Sequence, residues 1–130
     1  MPLHDVTLRP GRPSFADTLN QVMQQVEYHC FADLRFRRID PLFKELCFII
    51  SEVFFIYSDS LIKVNGSDLP ASLVQEVYSL LRNEHLRLVF TNFHDVSNRV
   101  YNKKAYLRTS LYNSVFEIQA HFANNSDSFD

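Results

Sequence analysis

Apolar residues recur at helical spacing through most of the chain. The first such stretch begins at Ser14 and carries Phe15, Leu19, Val22, Met23, Val26 and Cys30 at steps of three, four or one residue. This spacing is typical of one face of an amphipathic helix. Ser14 followed by Asp17 is an acidic variant of the capping box and predicts where the helix begins. The mixed apolar and basic segment after it, 31–39, is expected to be a connector.

A second stretch is apolar nearly all round. Asp40-Pro41 is a strong start signal, with Asp as N-cap and Pro at the first helical position. Most residues from Leu42 to Phe55 are apolar, including four Phe, two Ile and one Val. Such a helix is either covered on several sides in the core or part of an oligomer interface. The pattern therefore leaves a homodimer open.

The middle of the chain predicts a β-hairpin. The segment 58–60 is polar and ends the second helix, and Leu61–Val64 is a short β-type run. Asn65-Gly66 is a strong signal for a two-residue turn. The second strand is expected to end near Leu69. An isolated hairpin is marginally stable, so we expect it to pack against the helices.

The remainder is again helical. Pro70 is expected to open the third helix and Asn83 to cap the fourth, which the polar segment 94–98 should end. Within 99–114, apolar residues recur on one face, Asn102 is the expected N-cap, and Asn113 and Ser114 are the expected stop residues. A last short helix is expected over 116–122.

These elements predict a mainly α fold, a compact bundle of about five to six helices with one short β-hairpin near Leu61–Leu69. Residues 1–13 are expected to be flexible, 14–123 to form a single helical domain, and 124–130 to be a disordered tail. Twelve Phe and six Tyr supply enough bulk for one core.

Charge and composition narrow the classes of function. The net charge of −2 argues against direct nucleic-acid binding, which needs a clustered positive surface. No apolar run is long enough to cross a membrane, and the N-terminus lacks the apolar segment of a signal peptide. Cys30 and Cys47 both stand on apolar stripes, so we expect buried, reduced thiols in a cytoplasmic protein.

The sequence offers no catalytic or cofactor motif. With two Gly there is no glycine-rich phosphate loop, and no paired-cysteine zinc spacing occurs. The five His are scattered along the chain. We therefore expect a protein that is not an enzyme and holds no metal or cofactor.

The densest positive cluster on the predicted helices consists of Arg99, Lys103, Lys104 and Arg108. It has two interpretations. The four side chains are either an ordinary solvated helix face or an electrostatic docking surface for a partner. They are the candidate partner-binding residues.

From about Asp17 to His121, the order of features resembles one known family. The matching runs are Gln25-Val26-Glu27-Tyr28, Leu61–Gly66 with Leu69-Pro70, His85–Phe90, and Asn102–Leu107 with Thr109, Leu111, Tyr112 and Asn113. These runs resemble, in the same order, segments of the C-terminal domain of replication initiator A proteins from plasmids and integrative elements of Firmicutes. The last run is the closest match.

The resemblance implies a helical, non-enzymatic adapter similar to domains of DnaD type, which engages a host replication protein such as primase. Two features differ. The DNA-binding winged-helix domain of that family is absent from this sequence, and 55–60 replaces the family's small and basic stretch. The chain is thus either a piece of an initiator or a stand-alone protein. The alternative function is a mobile-element or phage inhibitor of a host defence nuclease, of anti-CRISPR type, with a CRISPR effector as its partner.

Overall fold

The computed structural model describes residues 13–127, and side chains as far as residue 121. These residues form five α-helices, two short 3₁₀ segments and one two-stranded sheet. The helices are Phe15–Gln25 (α1), Pro41–Phe55 (α2), Ala71–Tyr78 (α3), Asn83–Val96 (α4) and Lys103–Asp127 (α5); the strands are Leu61–Val64 (β1) and Ser67–Pro70 (β2). The prediction of a mainly α bundle with one short hairpin is confirmed.

Helix α2 is the centre of the bundle and contacts all four of the other helices. Its start follows the prediction, because the Asp40 carboxylate accepts a hydrogen bond of 2.9 Å from the Leu42 amide. Leu46, Cys47 and Ile50 are fully buried on it. Burial raises the pKa of the Cys47 thiol to about 12, so this cysteine stays protonated in the core.

Aromatic rings join α2 to the segments on either side of it. Phe43 of α2 stacks between Phe31 of the first 3₁₀ segment and Phe90 of α4, with ring centroids 4.0 and 4.4 Å apart. Arg87 of α4 covers the outer side of Phe31 and donates to the Cys30 carbonyl at 2.7 Å. The connector after α1 is therefore fixed to the bundle.

The hairpin has the predicted turn. β1 and β2 are antiparallel, with Leu61 opposite Pro70. Asn65 and Gly66 both have positive φ, 55° and 78°, as a type I′ turn requires. The amides of Asn65 and Asn113 exchange two hydrogen bonds of 3.0 and 3.1 Å. The hairpin thus leans on α5, as expected of an element that is too small to be stable alone.

Two of the predicted helix starts are confirmed by their caps. The Ser14 hydroxyl accepts from the Asp17 amide at 3.1 Å, and the Asn102 side chain accepts from the Ala105 amide at 3.1 Å. The fourth helix begins one residue earlier than predicted, with Arg82 as its N-cap. Asn83 lies inside α4 rather than capping it, since its side chain bonds to the Val26 carbonyl and to Arg87.

The first helix is shorter than its apolar stripe predicted. It ends at Gln25, and Glu27 adopts a left-handed conformation with φ 55° that stops the helix. The chain then makes the 3₁₀ turn Tyr28–Phe31, which turns Cys30 outward. The prediction that Cys30 is buried is wrong, because Cys30 is exposed.

Two helices run through their expected stops. α4 continues to Val96 across His94 and Asp95. α5 continues past Asn113 and Ser114, because Asn113 bonds to the hairpin and the Ser114 hydroxyl donates to the Leu111 carbonyl within the helix. The separate last helix is therefore part of α5, as are residues 124–127 of the expected tail.

Residues 1–12 and 128–130, which belong to the expected flexible segment and tail, lie outside the described residues. Within the described part, no helix has the length and hydropathy that crossing a bilayer requires.

Because α2 is central, substitution of a buried residue on it should cost much more stability than substitution of an exposed residue of similar size. Ile50 is fully buried on α2, whereas Leu80, after α3, is half exposed. Ile50→Ala should lower the free energy of unfolding by about 2–5 kcal/mol, because it removes core contacts and leaves a cavity. Leu80→Ser should change it by about 0.5 kcal/mol or less. Urea unfolding followed by circular dichroism measures both; equal losses would contradict the assigned core.

A buried histidine predicts a pH dependence. His85 accepts a hydrogen bond of 2.9 Å from the Arg82 amide through Nδ1, which must be unprotonated. Burial lowers the pKa of His85 below its ordinary 6.5, with Glu84 acting more weakly in the opposite direction. The stability from neutral His85 is therefore full above the unfolded-state pKa and is lost as the pH falls through the folded-state pKa.

Replacing His85 by Gln, which keeps an acceptor but does not titrate, should reduce the loss of thermal stability between pH 7 and acid pH. The matched control is His94→Gln, at an exposed position of the same helix. Melting temperatures across that range measure the effect. The assignment fails if the two variants and the original protein lose stability in parallel.

Candidate interaction surface

Two of the predicted partner-binding residues form ion pairs within the fold. The Lys103 ammonium lies 2.9 Å from the Glu45 carboxylate, and the Lys104 ammonium lies 2.9 Å from that of Glu52. Both carboxylates belong to α2, so the start of α5 is tied to the middle of α2. All four side chains keep substantial exposure, which limits each pair to about 1 kcal/mol or less.

The other two predicted residues lie in different surroundings. Arg99 is in the second 3₁₀ segment, and its guanidinium donates to the Asp95 carbonyl at 3.4 Å. Arg108 is half buried on α5, and its backbone carbonyl accepts a hydrogen bond of 2.6 Å from the Tyr78 hydroxyl. Burial raises the pKa of Tyr78, so the phenol remains a donor. The structure brings Lys104 and Arg108 to one groove and leaves Arg99 outside it.

This groove follows the uncovered side of α2 and is called the α2 groove. It consists of two adjoining depressions of about 450 and 520 Å³, which share Ile49, Glu52 and Lys104. The first lies toward β1 and α5, and the second toward the start of α2. The remaining lining residues are Phe15, Pro41, Lys44, Glu45, Phe48, Val53, Phe55, Ile56, Leu61, Ile62, Lys63 and Arg108.

Large apolar side chains are exposed in the α2 groove. The exposed fractions are 40% for Phe48, 37% for Ile56 and 65% for Leu61. The Phe15 ring stands beside Phe48 and Phe55, with centroids 6.0 and 5.6 Å apart, and gives the groove an aromatic wall. Exposed apolar side chains that share one concave surface are typical of a protein contact.

The rim of the α2 groove is positive although the chain is negative. Four cationic side chains and two carboxylates line it, the cations being Lys44, Lys63, Lys104 and Arg108 and the carboxylates Glu45 and Glu52. Lys104 is paired with Glu52, and Lys63 lies 3.9 Å from Asp68. Among residues with described side chains, Lys44 and Arg108 have no carboxylate within ion-pair distance.

Outside the α2 groove, the connector before α2 exposes Leu34 and Phe36, and the segment before α5 exposes Tyr101. A polar cleft of about 670 Å³ lies between the hairpin turn, α4 and α5, but two of its amides, Asn65 and Asn113, already bond to each other. Cys30 and His29 contact each other at 3.4 Å on the surface. In the part of the chain that the structure describes, no three His, Cys, Asp or Glu side chains are grouped to hold a metal ion.

The sequence pattern indicated two of the four cations of the rim, Lys104 and Arg108, and it did not indicate the apolar floor. Phe48 belongs to a helix that is apolar all round, and Ile56 follows it directly, so the pattern does not distinguish covered from uncovered sides there. Leu61 was predicted to be in a strand, but the alternation of exposed and buried residues in β1 is what places it outward.

The ion pair between α2 and α5 predicts a charge-swap result. Lys104→Glu should lower the free energy of unfolding by up to about 1 kcal/mol, because it places a second carboxylate beside Glu52. Adding Glu52→Lys should recover most of that loss. Denaturant unfolding at low and high salt measures both effects, and salt should shrink them. Simple additivity of the two substitutions would show that the side chains do not interact in solution.

Neither a curated protein nor a solved structure matches the chain. The family of unknown function DUF6017 matches residues 14–128, which include all five helices and the hairpin. The chain belongs to this family.

Proposed function

We propose that this chain is a non-enzymatic protein-interaction domain of a mobile-element replication initiator, and that it engages a host replication protein such as primase. In this proposal the domain works in the cytoplasm, where the host replication machinery is. Its contact surface is the α2 groove.

The observation that carries the proposal is the combination of exposed apolar side chains and a charged rim in the α2 groove. Phe48, Ile56 and Leu61 are 40%, 37% and 65% exposed, and all three line the same concave surface. Protein interfaces combine such an apolar centre with a polar or charged rim. A groove between elements also gives a partner more contact than a flat surface does.

The sequence resemblance supports the same surface. Two of the runs that resemble the replication initiator family lie on its border. The run Leu61–Gly66 supplies Leu61 and Lys63, and the run Asn102–Leu107 supplies Lys104. Since these runs meet at the α2 groove, the resemblance and the geometry point to one place on the molecule.

The four predicted partner-binding residues differ in their roles under this proposal. Lys104 and Arg108 contact the partner directly, because both line the groove. Lys103 acts outside the groove through its pair with Glu45, and Arg99 belongs to a separate surface. Charge reversal of Lys104 or Arg108 should therefore weaken partner binding more than reversal of Arg99.

The test is binding of the purified protein to purified primase, replicative helicase and helicase loader of a Firmicute host, measured by biolayer interferometry. Leu61→Ser should weaken binding to the true partner by about tenfold or more, because it removes an exposed apolar anchor. Leu80→Ser, which is similarly exposed but outside the groove, is the matched control.

No binding to any of the three replication proteins would contradict the proposal. The same protein could instead be tested for inhibition of a CRISPR effector nuclease. Inhibition that is lost in Leu61→Ser would support the alternative function, with the α2 groove as its contact surface. Equal losses in Leu61→Ser and Leu80→Ser would mean that the contact lies elsewhere.

A further inference from the structure

The α2 groove also restricts the chemistry of its partner. We infer that it takes an amphipathic helix of the partner, about four turns long, whose apolar side chains are flanked by Asp and Glu. This inference rests on the proposed function and adds to it the kind of segment that is recognised.

The length follows from α2 itself. The groove extends from Pro41 at the start of α2 to Ile56 just after its end. At a rise of 1.5 Å per residue, this distance is about 22 Å. A partner helix of about 15 residues matches it, with anchors at i, i+3 or i+4, and i+7 that meet Phe48, Ile56 and Leu61.

The charge of the segment follows from the rim. Lys44 lines one depression and Arg108 the other, and neither is neutralised by a described carboxylate. Carboxylates near each end of the partner's apolar stripe would therefore each find a cation. A basic helix would instead meet these two side chains with like charge, which costs free energy at an interface.

Two other occupants fit the charge pattern less well. A second copy of the chain that used the same groove on both sides of a two-fold axis would place one positive rim against another. The chain's own residues 1–12 carry Arg9 and Arg12 against a single acidic residue, Asp5, and so have the same sign as the rim. An acidic segment of a different protein is the occupant that the electrostatics favour.

The probe is a fluorescein-labelled peptide of 18 residues with Leu at helical spacing and Glu at the flanking positions. A second peptide has Lys in place of every Glu. Fluorescence anisotropy should show that the purified protein binds the Glu peptide at least about tenfold more tightly than the Lys peptide. The double variant Lys44→Glu/Arg108→Glu should abolish or reverse this preference.

The matched control is Arg35→Glu/Arg37→Glu. It changes the net charge by the same amount at exposed cations outside the groove, and it should keep the preference. If Arg108→Glu disturbs folding, as circular dichroism would show, Lys44→Glu alone tests the same charge effect at an exposed residue. Leu61→Ser tests apolar recognition and should weaken binding of the Glu peptide. Leu80→Ser is its control and should leave that binding unchanged.

Three results would overturn the inference: failure of the Glu peptide to bind, equal affinity for both peptides, or an equal effect of the groove and control variants. Self-association that disappears in Leu61→Ser would show that the groove takes a second copy. Binding of primase through Leu61 without binding of the Glu peptide would leave the proposed function intact and refute only the acidic helix. If the protein binds the Glu peptide but none of the replication proteins, the acidic-helix inference stands and the proposed function is refuted.

Discussion

The structure depends on covering α2, a helix that is apolar on almost every side. A helix of this kind is unstable in water unless its neighbours bury it, and α1, α3, α4 and α5 all contact it. Each of the three later helices returns to contact α2. The cover is incomplete along one side, where Phe48 and Ile56 are exposed. In the proposed function, the α2 groove along this side is the contact surface for a partner.

Polar side chains close the ends of the elements around this core. The Gln75 amide donates to the Val53 and Ile56 carbonyls at the end of α2, at 3.0 and 2.7 Å. The Gln25 amide donates to the Tyr78 and Leu81 carbonyls after α3, at 3.1 and 2.9 Å. Helix ends leave such carbonyls without intrahelical partners, and burial without a partner would be costly. These long-range contacts make the packing of each helix depend on its neighbours.

Local signals in the sequence were sufficient for much of the fold. Asp40-Pro41 and Asn65-Gly66 act through their own backbone geometry, so their outcomes did not depend on distant residues. The extension of α5 past Asn113 was not predictable in this way, because the Asn113 amide is used by Asn65, far away in the sequence. The same limit applies to the site. Lys104 was identified as a cation, but only the packing of α5 against α2 shows that it pairs with Glu52 and borders an apolar groove.

The central claim is that the uncovered side of α2 is a contact surface. NMR tests it most directly, by mapping amide chemical shifts of the isotope-labelled protein. The protein is titrated with a purified replication partner or with the acidic peptide. The account predicts that the shifts concentrate at 41–56, 61–63 and 104–108, with α2 remaining helical. Shifts centred on the hairpin turn and α4, or on the connector before α2, would contradict it and would place the contact on a surface that the fold of α2 does not create.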